Sequence, residues 1–294
     1  MADTSGMAEI RGINVDKLVK GYKPVSIQWK KYVAGSKTNA TEIRWYQKTS
    51  GFVTPATTTG MTTNLSDNVA FGTKAPIAEQ SWTRQTSYVR KYMLETPLIS
   101  DEDIASSDVS ILATNITDLV ESISQRVNVR IYNVVSNGQS ASGVNTVACA
   151  AAWDTGSFTG VTMVEDIMEA KETVRPYGYD PDQGFVLAMD SLRYRKLVEW
   201  LVETKGANVV NWSSVLAQTG KIVEFCGVEV LVDTNVTDNY MVLFKKGHSA
   251  TWRSFSPISA VVITEPLIGK KVRVAEEGEA TLDYPYSTCL ITGA

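Results

Sequence analysis

Apolar residues recur along one stretch of this chain at steps of three and four: Val109, Leu112, Ile116, Leu119, Ile123, Val127, Ile131 and Val134. Such spacing returns each side chain to the same side of an α-helix, so it predicts one amphipathic helix over 108–137, about 42 Å long at roughly 1.5 Å per residue. Ser107 is placed as its N-cap, and Asp101, Glu102, Asp103 and Asp108 stand where carboxylates favour the positive end of a helix dipole. The side opposite the stripe is rich in Ser, Thr and Asn and thin in e/g-like charge pairs, so we expect the helix to lie across its own body rather than to coil with a second one.

Upstream the pattern changes. Val15, Leu18, Val19 and Tyr22 have helical spacing and predict a short helix, followed by the basic, aromatic run Gln28-Trp29-Lys30-Lys31-Tyr32 and a break at Gly35-Ser36. Two stretches, 42–47 and 82–92, have the β-branched and aromatic content of strands yet much polar character. Between them runs a Thr/Gly-rich tract, 49–72, too long for an ordinary connection in a compact domain, and the whole predicts a projecting β-hairpin. Arm and hairpin carry too little apolar content to fold alone. Aromatic side chains on a polar extension suit a contact between subunits, so Trp45, Tyr46, Phe52, Phe71, Trp82, Tyr88, Trp29 and Tyr32 are candidate intersubunit contacts, about half of such aromatics being expected instead to cover the body beneath.

After Asn137-Gly138 helices and strands alternate. Thr162 and Glu165 form a capping box ahead of Met163, Val164, Ile167, Met168 and Val174, so a helix is predicted that stops at Pro176. The apolar run 185–189 reads as a buried strand, and Asp190 caps a helix with Tyr194, Leu197, Val198, Leu201 and Val202 on its apolar side. Further strands are predicted at 222–225, 228–232, 240–244, 260–264 and 271–274. The fold class is α+β, a mixed sheet flanked by helices, with no internal repeat or domain linker.

A chain of 294 residues with 44% hydrophobic content can bury a large core. A net charge of -4 disfavours a nonspecific nucleic-acid binder. Cys149, Cys226 and Cys289 lie far apart with no C-x-x-C pair, which removes the usual zinc and thioredoxin readings. His248 is the single histidine, in an expected turn between strands. No G-x-S-x-G, G-x-G-x-x-G or Walker-type loop is present. Asp101, Glu102 and Asp103 are expected to serve a helix dipole rather than a cation. Glu276, Glu277, Glu279 and Asp283 surround Gly278 in what reads as a hairpin turn. We expect no catalytic residue, no cofactor, no metal and no membrane segment, in a soluble protein made in a cytoplasm; the chain is not expected to be an enzyme.

The order of parts carries a resemblance. Pro97-Leu-Ile-Ser-Asp-Glu-Asp-Ile104 leading into the long helix, Gly184-Phe-Val-Leu-Ala-Met-Asp-Ser-Leu-Arg-Tyr-Arg195, and the strand-turn-strand region over 218–239 resemble the major capsid proteins of tailed bacterial and archaeal viruses, the HK97-like fold. The resemblance implies an N-terminal arm over 1–40, an extended loop over 41–96, a peripheral domain over 97–220 with its spine helix at 108–137, and a β-rich axial domain over 221–294 that returns strands to the peripheral part. It implies self-assembly through pentamers and hexamers into an icosahedral shell around double-stranded DNA, each extended loop lying over an adjacent subunit. It also implies a separate scaffolding protein, a portal, a possible cement protein, weak contact with packaged DNA, noncovalent locking and a place in the virion. The alternatives are an encapsulin-like nanocompartment subunit and, further off, an α/β enzyme.

Overall fold

The run Phe185–Met189 sits where its composition demands, in the middle of a sheet covered on both faces. In the computed structural model, which describes residues 29–48, 71, 82–106, 110–136, 143–153, 160–205, 222 and 224–294, this strand is β7, and all five of its residues are buried. The earlier elements are β1 (Ala34–Lys37), β2 (Glu42–Lys48), β3 (Trp82–Tyr88), β4 (Arg90–Glu95), β5 (Ile99–Ser100), α1 (Asp101–Ser106), α2 (Ile111–Val135), β6 (Asn145–Ala148) and α3 (Gly160–Val174). After β7 come α4 (Ser191–Lys205), β8 (Glu224–Phe225), β9 (Val228–Val232), β10 (Tyr240–Lys245), β11 (Ala250–Glu265), β12 (Gly269–Leu282) and β13 (Thr288–Thr292).

Six strands form one sheet in the order β6-β13-β10-β7-β9-β8, with β7 parallel to β9 and antiparallel to β10. Alternate residues of β7 face opposite sides. Phe185, Leu187 and Met189 join Met163, Ile167, Ala170 and Val174 of α3 and Leu197 of α4 in one core. Val186 and Ala188, with Val242 and Phe244 of β10, meet Val127, Ile131, Tyr132 and Val135 of α2 in another. Burial on both faces is why β7 reads as an unbroken apolar run. Asp190 caps α4 as expected, its Oδ1 accepting the Arg193 N–H at 3.1 Å. Helix α3 starts at Gly160, so Thr162 lies inside its first turn rather than capping it. It gives way to a 3-10 turn, Arg175–Tyr177, and Gly178 leaves that turn with φ 84°, a left-handed value open to glycine.

The second sheet is built on β11 and β12, an antiparallel pair of 16 and 14 residues. Strand β1 lies parallel along β11, while β4 and β5 pair with β12. The expected strands at 260–264 and 271–274 are only the far ends of this ribbon; the near ends were hidden in Ser, Thr and Glu. Gly278 is not in a turn. It lies within β12, where a Cβ would stand 2.5 Å from Trp252 Cζ2, so glycine is required by the close approach of that ring. The turn falls instead at Pro266-Leu267-Ile268. Gly35-Ser36 is likewise not a break but part of β1.

Helix α2 spans both sheets. Leu112, Ile116, Leu119, Val120 and Ile123 pack on Val272 and Val274 of β12, and the next turns cover the six-stranded sheet. Its 25 residues give a length of about 37 Å. It begins at Ile111, after Ser110, which makes no side-chain cap. The three carboxylates expected at its start belong to the separate short helix α1, where Ser100 Oγ accepts the Asp103 N–H at 3.0 Å. Ser107 and Asp108 lie outside the described residues, as does the helix predicted around 15–22.

Residue 220 does not separate the sheets, since the six-stranded one takes β6 and β7 from before it and β8, β9, β10 and β13 from after it. Nor is 29–37 a free arm, because Trp29 enters the core and β1 completes a sheet.

Candidate assembly surface

Among the described residues strands β2 and β3 pair only with each other, in a two-stranded antiparallel ribbon running from Glu42↔Tyr88 to Lys48↔Trp82. Directly paired residues share a face. One face holds Ile43, Trp45 and Gln47 opposite Ser87, Gln85 and Thr83, and it rests on the body: Ile43 is buried, and Trp45 Nε1 (3.0 Å) and Gln47 Nε2 (2.6 Å) both donate to the carbonyl oxygen of Leu282. The other face holds Tyr46, Trp82 and Tyr88, exposed at 68%, 64% and 66%, together with Arg44, Arg84 and Thr86. Arg44 Nε donates to Glu42 Oε1 at 2.6 Å, and that bond holds the Glu42 carboxyl below its usual range. Arg84 has no ion pair among the described residues. At Val89, whose N–H bonds to the Thr41 carbonyl at 2.9 Å, the chain leaves the ribbon and joins β12 as β4.

The candidate aromatics therefore separate by face. Tyr46, Trp82 and Tyr88 share one outward surface, Trp45 faces the body, and Phe71 is exposed. Phe52 lies outside the described residues. Tyr32 is half-buried; its hydroxyl donates to Glu229 Oε1 at 2.9 Å, and burial, with Glu229 beside it, pushes its pKa up to about 12. Trp29 is a correction: it is fully buried, stacked on Phe244 at 5.3 Å, with Nε1 donating to Asp233. A side chain closed inside its own subunit has no surface to offer a neighbour. In sequence it was indistinguishable from the others, because Lys30 and Lys31 make its surroundings look solvated.

A second exposed surface was missed. Where β11 turns into β12, Leu267 is fully exposed and Ile268 is 57% exposed, and Leu98 is exposed just before β5, which pairs with Gly269 and Lys270. Helix α1 follows β5 directly, presenting exposed Asp101, Glu102 and Asp103. Pro266 and Gly269, between the strands expected at 260–264 and 271–274, are residues that favour a turn, but the pattern alone could not say whether Leu267 and Ile268 fold inward.

Among the described residues no group of His, Cys, Asp and Glu could hold a metal ion, and no helix is long and apolar enough to cross a membrane. Burial raises the thiol pKa of Cys149 and Cys226, and that of Cys289 to about 12, away from the thiolate a nucleophile needs. His248 sits in the β10–β11 turn as expected, stacked on Tyr284 at 4.0 Å with Tyr179 edge-on at 5.8 Å. Burial, then Lys245, lowers its pKa from 6.5 against the opposing pull of Asp283. A depressed pKa means that the unfolded chain takes up the proton first as pH falls. The contribution of the neutral ring is thus complete above about 6.5 and declines below it. Urea midpoints measured from pH 7.5 to 5 should fall more for the wild type than for His248→Phe, which keeps the stack without the titration; equal slopes would contradict the assignment.

No family model matches the sequence, and no curated protein matches it. Solved structures do. A capsid structure of the cyanophage P-SCSP1u matches with TM-score 0.72 and 9% identity, over 96% of this chain and 92% of that one. The capsid of a native GTA particle matches with TM-score 0.72 and 13% identity over 100% and 99%. A virus-like particle from Pyrococcus furiosus matches with TM-score 0.56 and 13% identity over 89% and 90%. The chain has the HK97-like fold.

Proposed function

We propose that this chain is a major capsid protein, a structural subunit that assembles through pentamers and hexamers into an icosahedral shell around double-stranded viral DNA. The observation that carries the reading is the outer face of the β2–β3 ribbon: three exposed aromatic rings beside arginines, on an extension whose opposite face rests on its own body. A solitary globular protein gains nothing from exposing such a surface, whereas a repeated subunit gains a contact. The likeness to capsid structures over the whole chain supports the same reading. In it the ribbon is the extended loop, α2 is the spine helix, the β11–β12 sheet is the peripheral part and the six-stranded sheet the axial part. A modest contact repeated around a closed shell gives collective stability without any single strong interface. The acidic balance fits a container that grips its DNA weakly, with scaffold, portal and cement proteins as its other partners and the virion as its location. It has no catalytic duty.

Sedimentation and negative-stain microscopy of the purified full chain test this reading. Closed particles, or pentamers and hexamers that close on concentration, are expected; a monomer at every concentration would overturn it. Deleting 49–72 should leave a folded body by circular dichroism and thermal melting but no closed shells. Double-stranded DNA within particles from infected cells separates a capsid from a compartment for protein cargo.

A further inference from the structure

Strand β11 has an edge that no strand among the described residues covers. Strand β1 pairs with it only over 251–254, and the Thr38 N–H closes that run on the Ser254 carbonyl at 2.9 Å. On its other side β11 pairs with β12 from Ser259↔Ala275 to Glu265↔Gly269 in unbroken register. The main chain of Val272 is turned to Thr96, whose N–H donates to the Val272 carbonyl and whose Oγ1 accepts the Val272 N–H, both at 2.9 Å. Directions alternate along a strand, so Lys271, Arg273 and Ala275 turn to β11 and exchange main-chain bonds with Ile263, Val261 and Ser259. Ala260, Val262 and Thr264 therefore aim their N–H and C=O groups away from the sheet. The edge is exposed on both faces, Val261 at 55% and Val262 at 43%. Proteins usually blunt such an edge with charge or proline. Strand β4, the opposite edge of the same sheet, carries Arg90, Lys91 and Glu95. Strand β11 has no charged residue over 254–264, and its Pro257 falls among the register shifts ahead of the open stretch.

We propose that the open edge of β11 pairs with the same edge of a second copy of this chain, antiparallel about a two-fold axis at Val262, so that two β11–β12 sheets become one. Val262 then stands opposite the partner's Val262, and Ala260 opposite the partner's Thr264. The pairing rests on the shell reading, in which rings of subunits need a second kind of contact to join one another, and this contact is isologous. The missing charge decides the occupant. A two-fold axis sets the central side chain against itself, so a lysine or glutamate there would meet its own kind, whereas an edge that received a foreign strand would be under no such constraint. Helix α2 leaves the edge accessible, since it rests on Val272 and Val274 of β12, one strand further in. Main-chain bonds set the register, and the valines lose water on both faces of the joined sheet.

Charge exchange at one position tests the pairing in the full chain. Val262→Lys and Val262→Glu alter a side chain that is partly exposed and main-chain groups that β12 does not use, so thermal melting should stay close to the wild type. Each variant alone should slow the closing of particles at low salt by about tenfold or more, leaving separate rings. An equal mixture of the two should recover most of the wild-type rate, because lysine then meets glutamate across the axis. Single variants that close at the wild-type rate, or a mixture as slow as its components, overturn the pairing. Val262→Cys adds a geometric readout: opposed residues bring their Cα atoms within about 5.5 Å, the span of a disulfide. Oxidised particles of that variant should give covalent dimers on a non-reducing gel where wild-type particles give none, and monomers alone overturn the two-fold. A wild-type chain that never assembles sinks the shell reading and this pairing together. Wild-type particles with unaffected variants sink the pairing alone.

Discussion

Trp29→Ala is expected to lower the free energy of unfolding of the subunit by about 3–5 kcal/mol, the range for emptying a fully buried large aromatic site. The indole fills the space between Phe244 of the six-stranded sheet and Tyr132 of α2, with ring centroids 5.3 and 5.5 Å away. Polar groups are at stake as well as volume. Trp29 Nε1 donates to Asp233 Oδ2, Asn128 Nδ2 donates to the same oxygen at 3.2 Å, and Asn128 Oδ1 accepts the Trp29 backbone N–H at 2.9 Å. Removing the indole leaves a buried carboxylate short of a donor, which adds to the cavity term. Trp29→Phe keeps most of the volume and loses the N–H, so its cost should be smaller, about 1–3 kcal/mol. Denaturant unfolding of both variants gives the comparison. A loss below about 1 kcal/mol for alanine would show that the segment around Trp29 is an arm after all.

Arg130→Met should cost about 3–5 kcal/mol for a different reason, the stranding of a buried charge. Glu279 is fully buried on β12 and accepts from Arg130 Nε at 2.9 Å and from its Nη2, while its other oxygen faces Arg90 Nε at 3.2 Å. Arg90 is more than half exposed, so it screens poorly what Arg130 leaves behind. The pair joins α2 to the β11–β12 sheet farther along β12 from Val272 and Val274, and its loss loosens the helix from the ribbon it braces. Replacing both partners, Arg130→Met with Glu279→Leu, removes the stranded charge and should recover most of the loss, which a double-mutant cycle in urea measures directly. A double variant as unstable as the single would mean that packing rather than charge is at issue.

These side chains show where reading the chain succeeds and where it stops. The period of the α2 stripe survived translation into structure because helical spacing is local: residues three and four apart must meet on one side whatever lies opposite. The helix ends shifted, since they depend on caps that local sequence specifies weakly, and the carboxylates near 101–103 turned out to start a helix of their own. Strand β7 was legible because five consecutive apolar residues have few other homes. The near halves of β11 and β12 were not, because their cores are charged or small: Glu276 and Glu279 are buried only by virtue of Lys30, Arg130 and Arg90, which arrive from distant parts of the chain. Of the surface aromatics, composition picked out the region, while the strand register decided that Tyr46, Trp82 and Tyr88 look outward and Trp45 looks in.

Periodicity and composition by themselves determined that this chain has a long helix, a central buried strand, a polar two-stranded extension and no cluster of catalytic motifs, since each of these follows from neighbours in sequence. Only the tertiary structure decided that Trp29 belongs to the core and that Gly278 lies under a tryptophan ring. Those outcomes depend on which distant segments approach, and the free energy of a buried indole, a buried carboxylate or an exposed leucine is set by what stands across from it rather than by what precedes it.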